Sequence, residues 1–400
     1  MDIDREKKLR RNFKLTYWIQ ALSEMRLISV VSTLFMLSRG LTMTQIFLTA
    51  VVFSIVAIIS ELPSSYLADK WSRKGLMSIA IITAVIYTTF NMFAYGFVAF
   101  VIAIGIFSIS YSFMSGTDEA LLYDSARELG EEKSGVKFMG RFIAAGRVFK
   151  IVGPLLAVLI AANLTDGQFR IILGIDLLAG LVALFLIDLL VEPKHFQRGE
   201  KIAKGVLRDS LQLFKDNPTL IRVTINRTLI FLASFMLWRV SSVYFTNMGM
   251  AVLWIGLMAT FYHGIIFILN MKSHQWWRWW SSETIIKVAN WGCVFFLGLF
   301  WLNEVSVKNI LVAMGAYIML VICENVRYPY FSDIINKYSN SYNRATTISG
   351  SSLITELLKF PLLLIFAYMV NYGYGVFVGL LLGLAISTEI FFSLKEKNNQ

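Results

Sequence analysis

The sequence predicts an all-α membrane protein whose twelve transmembrane helices fall into two pseudo-repeated six-helix halves. Three observations predict it. Of the 400 residues, 56% are hydrophobic and only 16% charged, against about 25% charged in soluble domains. A water-soluble fold cannot bury that much apolar surface, because the buried fraction levels off as domains grow, so part of the solvent is lipid. Twelve segments reach the ~20 mostly apolar residues that a membrane crossing takes. Their connections alternate between basic and nearly uncharged, as expected when Lys and Arg stay on the cytoplasmic side.

Taken in order, residues 1–14 are charged and lack a short apolar core with a small-residue cleavage site, so no cleavable signal peptide is expected. The first six spans cover approximately 15–38, 45–67, 76–95, 97–122, 140–162 and 168–190. The second six cover 219–246, 252–270, 284–302, 309–331, 345–370 and 375–394. Between the sixth and seventh lies the longest polar interval, 192–218, where Val206, Leu207, Leu211, Leu213 and Phe214 alternate with Lys201, Lys204, Arg208 and Lys215. That pattern suits an amphipathic helix lying on the inner leaflet. The expected organisation is therefore 1–191 as one half, 192–218 as a cytoplasmic linker and 219–400 as the other half. Echoes between the halves support a repeat: Tyr123, Asp124, Arg141, Gly146 and Pro154 in the first, Asp333, Arg344, Gly350 and Pro361 in the second.

Most of the 37 Lys and Arg fall in connections assigned to the cytoplasm, while Arg39, Arg170 and Lys308 mark the opposite side. An even helix count then places both termini in the cytoplasm, as the basic Lys395 and Lys397 also suggest. The formal charge of +11 is thereby topological rather than a sign of nucleic-acid binding. The 31 Phe, 10 Trp and 16 Tyr suit lipid-facing helices with aromatic belts. Cys293 and Cys323, both inside apolar segments, read as small buried hydrophobes. His195, His263 and His274 are too scattered for a haem or zinc site, and there is no G-x-x-x-x-G-K-[ST] phosphate loop. No cofactor, metal or nucleotide motor is expected. Without a nucleophile, base or metal constellation, an intramembrane enzyme is disfavoured. Short loops disfavour a sensor with a soluble signalling domain.

After the second span comes Ser65-Tyr66-Leu67-Ala68-Asp69-Lys70-Trp71-Ser72-Arg73-Lys74-Gly75. It resembles the loop signature of the major facilitator superfamily, G-x-L-x-D-x-x-G-R-[KR]. Leu67, Asp69, Arg73 and Lys74 match, while Ser65 and Ser72 replace the two glycines. Glu61-Leu62-Pro63 and the stretch Ser115-Gly116-Thr117-Asp118-Glu119-Ala120-Leu121-Leu122-Tyr123-Asp124-Ser125 look like a bacterial, drug-efflux-like branch of it. The resemblance implies a cytoplasmic gating latch of Asp69, Arg73, Lys74 and Asp124 that holds the halves together and opens during transport. On physical grounds Asp69 could accept hydrogen bonds from a helix N-terminus, and Arg73 could pair with Asp124. An ordinary solvated turn is the bland alternative. The resemblance also lines the cavity with the first, fourth, seventh and tenth helices, leaving Asp176 and Asp188 on the sixth peripheral. A second signature, G-x-x-x-G-P-x-x-G-G on the fifth helix of antiporters, survives only as Gly153-Pro154, with Gly146 seven residues before Gly153 and no glycine in 155–158, which weakens the case for export. In the second half the loop has degenerated to Lys272-Ser273-His274-Gln275-Trp276-Trp277-Arg278-Trp279-Trp280, suited to interfacial anchoring. Gly375, Gly379 and Gly383 form a small-residue ridge, read as intramolecular packing in a monomer.

Ionisable groups at mid-bilayer cost ~2.5–3.5 kcal/mol each on insertion scales and are functional candidates by default. These are Glu24, Arg26, Asp118, Glu119, Arg147, Lys150, Arg227, Arg239, Glu324 and Glu356. Glu24 and Arg26 stand about 200° apart on a continuous helix and so cannot face one spot. Arg147 and Lys150 share a face, and so nearly do Arg227 and Arg239. Internal neutralisation is the competing reading: Glu24 or Asp118 with Arg147 or Lys150, and Glu356 with Lys359. Tyr17, Trp18, Tyr111, Trp238, Tyr244 and Tyr262 either line a pocket, face lipid or fill packing gaps, and His263 is either a further titratable group or a packed, hydrogen-bonded neutral imidazole. Together these features predict a proton-coupled transporter of the bacterial cytoplasmic membrane, exporting a small amphipathic or anionic organic compound by alternating access. Import of an organic anion or sugar-like solute is the alternative.

Overall fold

The computed structural model describes residues 3–70, 72–131, 135–194, 214–215, 217–271, 279–338 and 344–394, with the backbone alone at 61–66, 68–70, 135–137, 336–338 and 344–350. The amphipathic stretch expected in 192–218 and the Lys272–Arg278 part of the tryptophan-rich loop fall largely outside these residues, as do the side chains of Asp69 and Arg344. Among the described residues the chain is helical, with no strand. Twelve helices or helix pairs are long and apolar enough to cross a membrane.

In chain order these are α1 (Ile3–Ser23), a 3₁₀ turn (Leu27–Val31) and α2 (Ser32–Ser38), which together make the first span. Next come α3 (Met43–Lys70), α4 (Arg73–Phe93), α5 (Gly96–Met114) with α6 (Thr117–Glu128), α7 (Gly135–Ile160) and α8 (Asp166–Asp188). The second series is α9 (Pro218–Asn247), α10 (Val252–Met271), α11 (Ser282–Leu302) and α12 (Ile310–Val326) with α13 (Tyr328–Tyr338). It ends with α14 (Arg344–Met369) and α15 (Tyr374–Phe392). The chain divides into two compact units, Met1–Thr42 with Thr49–Glu200, and Met43–Leu48 with Lys201–Gln400.

Two departures from the sequence reading bear on where the charges lie. The first helix begins at Ile3 rather than near residue 15, because its charges are answered within the fold. Arg5 pairs with Glu128 at 2.5 Å, Arg10 pairs with Glu6 and Glu131, and Arg11 donates to the Leu189 carbonyl at 2.8 Å. Hydropathy sees only apolar runs and so places the start too late. Second, the first, fourth and tenth spans are interrupted rather than continuous. The fourth breaks at Gly116, whose φ of +77° is open to glycine and strained for other residues. The first breaks at 24–26, where neither proline nor glycine signals it, and the tenth at Arg327, just before Pro329, which has no N–H to continue the helix and sits in the first turn of α13.

Each unit has its own apolar core. In the first, Leu15, Ile19, Met77, Ile81, Leu121 and Ile187 join α1, α4, α6 and α8. In the second, Val223, Ile286, Phe331 and Ile334 join α9, α11 and α13. The outer surface carries large exposed apolar side chains, among them Ile59, Val98, Leu178, Phe185, Phe295 and Phe391, as a lipid-facing surface requires. Two glycines of the α15 ridge, Gly375 and Gly379, pack inward, while Gly383 is exposed. A Cβ on Gly379 would meet the Trp301 ring at 3.0 Å, and the Trp301 indole N–H donates to the Gly375 carbonyl at 3.0 Å.

Candidate functional site

The interruption of the first span organises the charges of the first unit. Because α1 stops at Ser23, the helical-wheel separation of Glu24 and Arg26 does not apply, and both emerge from one irregular turn in which the Arg26 N–H donates to the Glu24 carbonyl at 3.0 Å. Glu24 pairs with Lys150 of α7 at 2.8 Å. Arg26 turns its guanidinium over the Phe107 ring at 4.5 Å. Both Arg26 and Arg147 lie near enough to act on the Glu24 charge. Gly146 and Gly153, seven apart and so on one face of α7, let that helix approach. A Cβ at Gly146 would meet Gln20 at 3.0 Å and Glu24 at 3.4 Å, and one at Gly153 would meet Leu27 at 3.2 Å. Lys150 lies between them in sequence, which brings it to Glu24.

The amides beyond the break need an acceptor, since a helix start leaves its first N–H groups without partners. Asp176 of α8 supplies it, accepting from Leu27 N at 2.9 Å and Ile28 N at 3.2 Å. Asp176, which the resemblance leaves peripheral to the cavity, thus serves as the acceptor that caps the broken first span. Asp188 does stay at the end of α8, its carboxylate 3.8 Å from Lys74. At the second break, Asp118 is buried and accepts from the Glu119 N–H at 2.8 Å, in the first turn of α6, within electrostatic reach of Glu24. Glu119 itself is exposed.

At the start of α4, Arg73 pairs with Asp124 of α6 at 2.8 Å. The carboxylate on the α4 N-terminus is Glu192, which accepts from Ser72 Oγ at 2.6 Å and from the Arg73 and Lys74 N–H groups at 2.9 Å each. Asp69, whose side chain is not described, was the residue expected there. Lys74 Nζ donates to the Asp188 carbonyl at 2.6 Å. Asn12 of α1 holds the same region, donating to Ser125 Oγ and the Val191 carbonyl and accepting from Val191 N.

In the second unit the interruption at Arg327 is sealed. Its guanidinium bonds Glu324 Oε1 at 3.1 Å and Asn290 Oδ1 at 2.7 Å. Asn290 Nδ2 donates to Asn226 Oδ1 at 2.9 Å and to Glu389 Oε1 at 2.6 Å, and Asn226 Nδ2 reaches the same Glu389 oxygen at 2.8 Å. Sequence reasoning missed Asn226, Asn290, Arg327 and Glu389. Glu389 carried a signal, being an ionisable residue inside a predicted span, and so did Arg327, three residues after Glu324. Of the other candidates, Arg227 stacks over Tyr328 at 5.2 Å and acts on Glu324. Arg239 stacks over Phe235 at 5.5 Å. Glu356 and Lys359 neutralise each other at 2.7 Å. Tyr244 donates to Glu304 at 2.9 Å, Tyr262 is buried against His263, and Trp18 and Tyr111 are exposed. Both cysteines are free thiols, and among the described residues no cluster of His, Cys, Asp and Glu could hold a metal.

Glu24, Arg26, Asp118, Glu119, Glu324 and Arg327 sit at or beside interruptions of membrane-spanning helices, and the other charges lie on continuous helices. A model of the Major Facilitator Superfamily matches residues 15–357. No curated protein matches the chain in sequence. Among solved structures, a mutant of the nucleoside transporter NupG is similar at 12% identity with a TM-score of 0.79, covering 96% of this chain and 98% of that one. A D-xylose–proton symporter gives 13% identity and a TM-score of 0.75, with 97% and 98% covered. A bacterial homolog of the human lysosomal transporter Spinster gives 14% and 0.70, with 98% and 95% covered. At these identities the likeness shows the fold.

Proposed function

The chain belongs to the Major Facilitator Superfamily, and we propose that it is a proton-coupled secondary transporter of a small amphipathic or anionic organic compound, working by alternating access in the bacterial cytoplasmic membrane with both termini inside. The observation that carries this reading is the Glu24–Lys150 pair beside the broken first span. Arg26, Arg147 and Lys150 outnumber the carboxylates that touch them, which suits a solute with a negative group. Glu24 is then the coupling group, with Asp118, Glu119, Glu324 and Glu356 as the other carboxylates to test. Arg227 and Arg239 are the basic candidates of the second unit. Asp69, Arg73, Lys74 and Asp124 form the latch that must open in each cycle, beginning with the Arg73–Asp124 pair.

Two directions of transport are favoured by different observations. Export in exchange for protons is the direction that the efflux-like motifs favour. Import with protons is favoured by the pair itself. Protonating Glu24 releases Lys150 from its partner, so the freed ammonium can hold an anion, and proton and anion then bind together rather than compete.

Purified protein in liposomes tests both. An imposed pH gradient is expected to drive organic-anion flux, and its sign relative to the gradient separates antiport from symport. Glu24→Gln is expected to lose gradient-driven accumulation while keeping solute exchange, since exchange needs no net proton release. Flux that ignores the gradient would replace this reading with a facilitator or a sodium-coupled carrier.

A further inference from the structure

The sealed cluster of the second unit has an internal logic that fixes where charge and hydrogen lie. Arg327 has only donors, so the Asn290 atom 2.7 Å from it is the carbonyl oxygen. That turns Asn290 Nδ2 away, and its two hydrogens go to Asn226 Oδ1 and Glu389 Oε1. With its oxygen taken, Asn226 gives its own two hydrogens to Glu389 Oε1 and to the Phe392 carbonyl at 3.1 Å. Every amide hydrogen is thus assigned. Two donors converge on Glu389 Oε1, while Oε2 has only Ser393 Oγ, 3.5 Å away.

Glu389 is 4% exposed, and Asn226 and Asn290 are fully buried. Among the described residues no cation bonds Glu389. Arg327 bonds Glu324 directly and is linked to Glu389 by hydrogen bonds through Asn290, and Arg227 acts on Glu324. On α9, Arg222 donates to the Ser393 carbonyl at 3.4 Å, one residue beyond the end of α15. On α11, Cys293 lies within electrostatic reach. The described charged side chains of α14, Glu356 and Lys359, pair with each other. A buried carboxylate needs pairing or hydrogen bonds; the two amide donors serve Oε1, and Oε2 is left to Ser393 Oγ.

We propose that this cluster is a proton-binding site in which Glu389 Oε2 carries one exchangeable proton, delivered through Ser393 from the membrane face where α15 ends. The proton comes from water or a buffer acid. Ser393 Oγ accepts it while passing its own hydrogen to Oε2, so only O–H bonds form and break and no redox partner is needed. The half-exposed Ser393 gives the route, and the Arg327–Asn290 chain keeps Oε1 an acceptor throughout. The site does not depend on Glu24 or on the direction of transport.

Infrared difference spectra of the purified protein between acid and alkaline pH test it. Wild type is expected to show the carbonyl stretch of a protonated carboxyl that appears on acidification, and Glu389→Gln is expected to lose it. Ser393→Ala leaves both Oε1 bonds intact and is expected to slow the appearance of the band after a pH jump by about tenfold or more. An unchanged band in Glu389→Gln would overturn the assignment. If that variant fails to fold, Glu389→Asp decides: a shifted band supports the site, and a band at the wild-type position overturns it. Sodium added at constant pH is expected to leave the band in place. Its disappearance on sodium addition would also overturn the proposal, by assigning the site to a metal cation.

Discussion

The two units carry the same device under different solvation. In each, a membrane span is interrupted beside an acid–base pair. In the first unit the side chains of Lys150 and Glu24 keep 44% and 29% of their exposure, whereas in the second Arg327 and Glu324 keep 1% and 15%. Partly exposed pairs are worth about 0–1 kcal/mol, so Glu24 and Lys150 can exchange partners at little cost. Breaking a buried pair costs about 3–5 kcal/mol because a charge is stranded, so Arg327 and its carboxylate stay together. The interruption alone therefore does not distinguish the two units; exposure does, and the proposed exchange of a solute with a protein charge rests on the more exposed pair of the first.

Arg327→Met is the sharpest way to break this comparison. It strands Glu324 and the Asn290 carbonyl in a dry site, and a loss of about 3–5 kcal/mol is expected, read as a large fall in thermal stability in detergent or failure to accumulate in membranes. A variant of near wild-type stability would show that the second cluster is as replaceable as the first. Asp176→Ala comes next. It leaves the Leu27 and Ile28 amides without their acceptor, at about 1–3 kcal/mol for each buried unsatisfied group. Asp176→Asn, which keeps one acceptor oxygen, is expected to recover part of that stability, and the difference between the two melting curves measures the cap. The smallest stability effect is expected from Lys150→Met and Glu24→Gln. Each should move unfolding by no more than about 1 kcal/mol while abolishing gradient-driven flux. A double-mutant cycle with a coupling well above that value would mean that the first pair is sealed too.

Much of this was legible in the sequence. Twelve apolar runs and alternating basic loops gave the spans, because lipid tolerates no unpaired backbone and leaves a strong hydropathy signal. The pairs Glu24–Lys150, Glu356–Lys359 and Arg73–Asp124 were each among the expected alternatives, since charges inside a bilayer must find partners. The interruption at 24–26 was not legible, because hydropathy averages over a window and cannot see a backbone that leaves the helix without proline or glycine. The other two breaks carried local signals that a search for apolar runs passes over: Gly116 in the fourth span and Pro329, two residues after Arg327, in the tenth. Asp176 and Glu192 were missed for another reason: each caps a helix from far along the chain, Glu192 from 119 residues beyond Arg73, and a single sequence holds no record of that distance. Asn226 and Asn290 escaped because a search for charges passes over amides, although an amide in lipid needs partners just as surely. The halves do share one tie that the sequence hinted at. Ser282 donates to Asp333 at 2.6 Å where Arg73 pairs with Asp124, each pair 51 residues apart.

The grip of the charged start of α1 on the end of the first unit has a consequence for biosynthesis. Arg5 and Asn12 find partners in Glu192 and Val191, residues that leave the ribosome some 180 positions later. At about 5–20 residues per second, roughly 10–40 seconds separate the two. During that interval the Asn12 amide, fully buried in the finished fold, has to be served by water, lipid headgroups or the insertion machinery. The first unit therefore closes late, from its first residues onto its last, once the segment around Val191 has emerged.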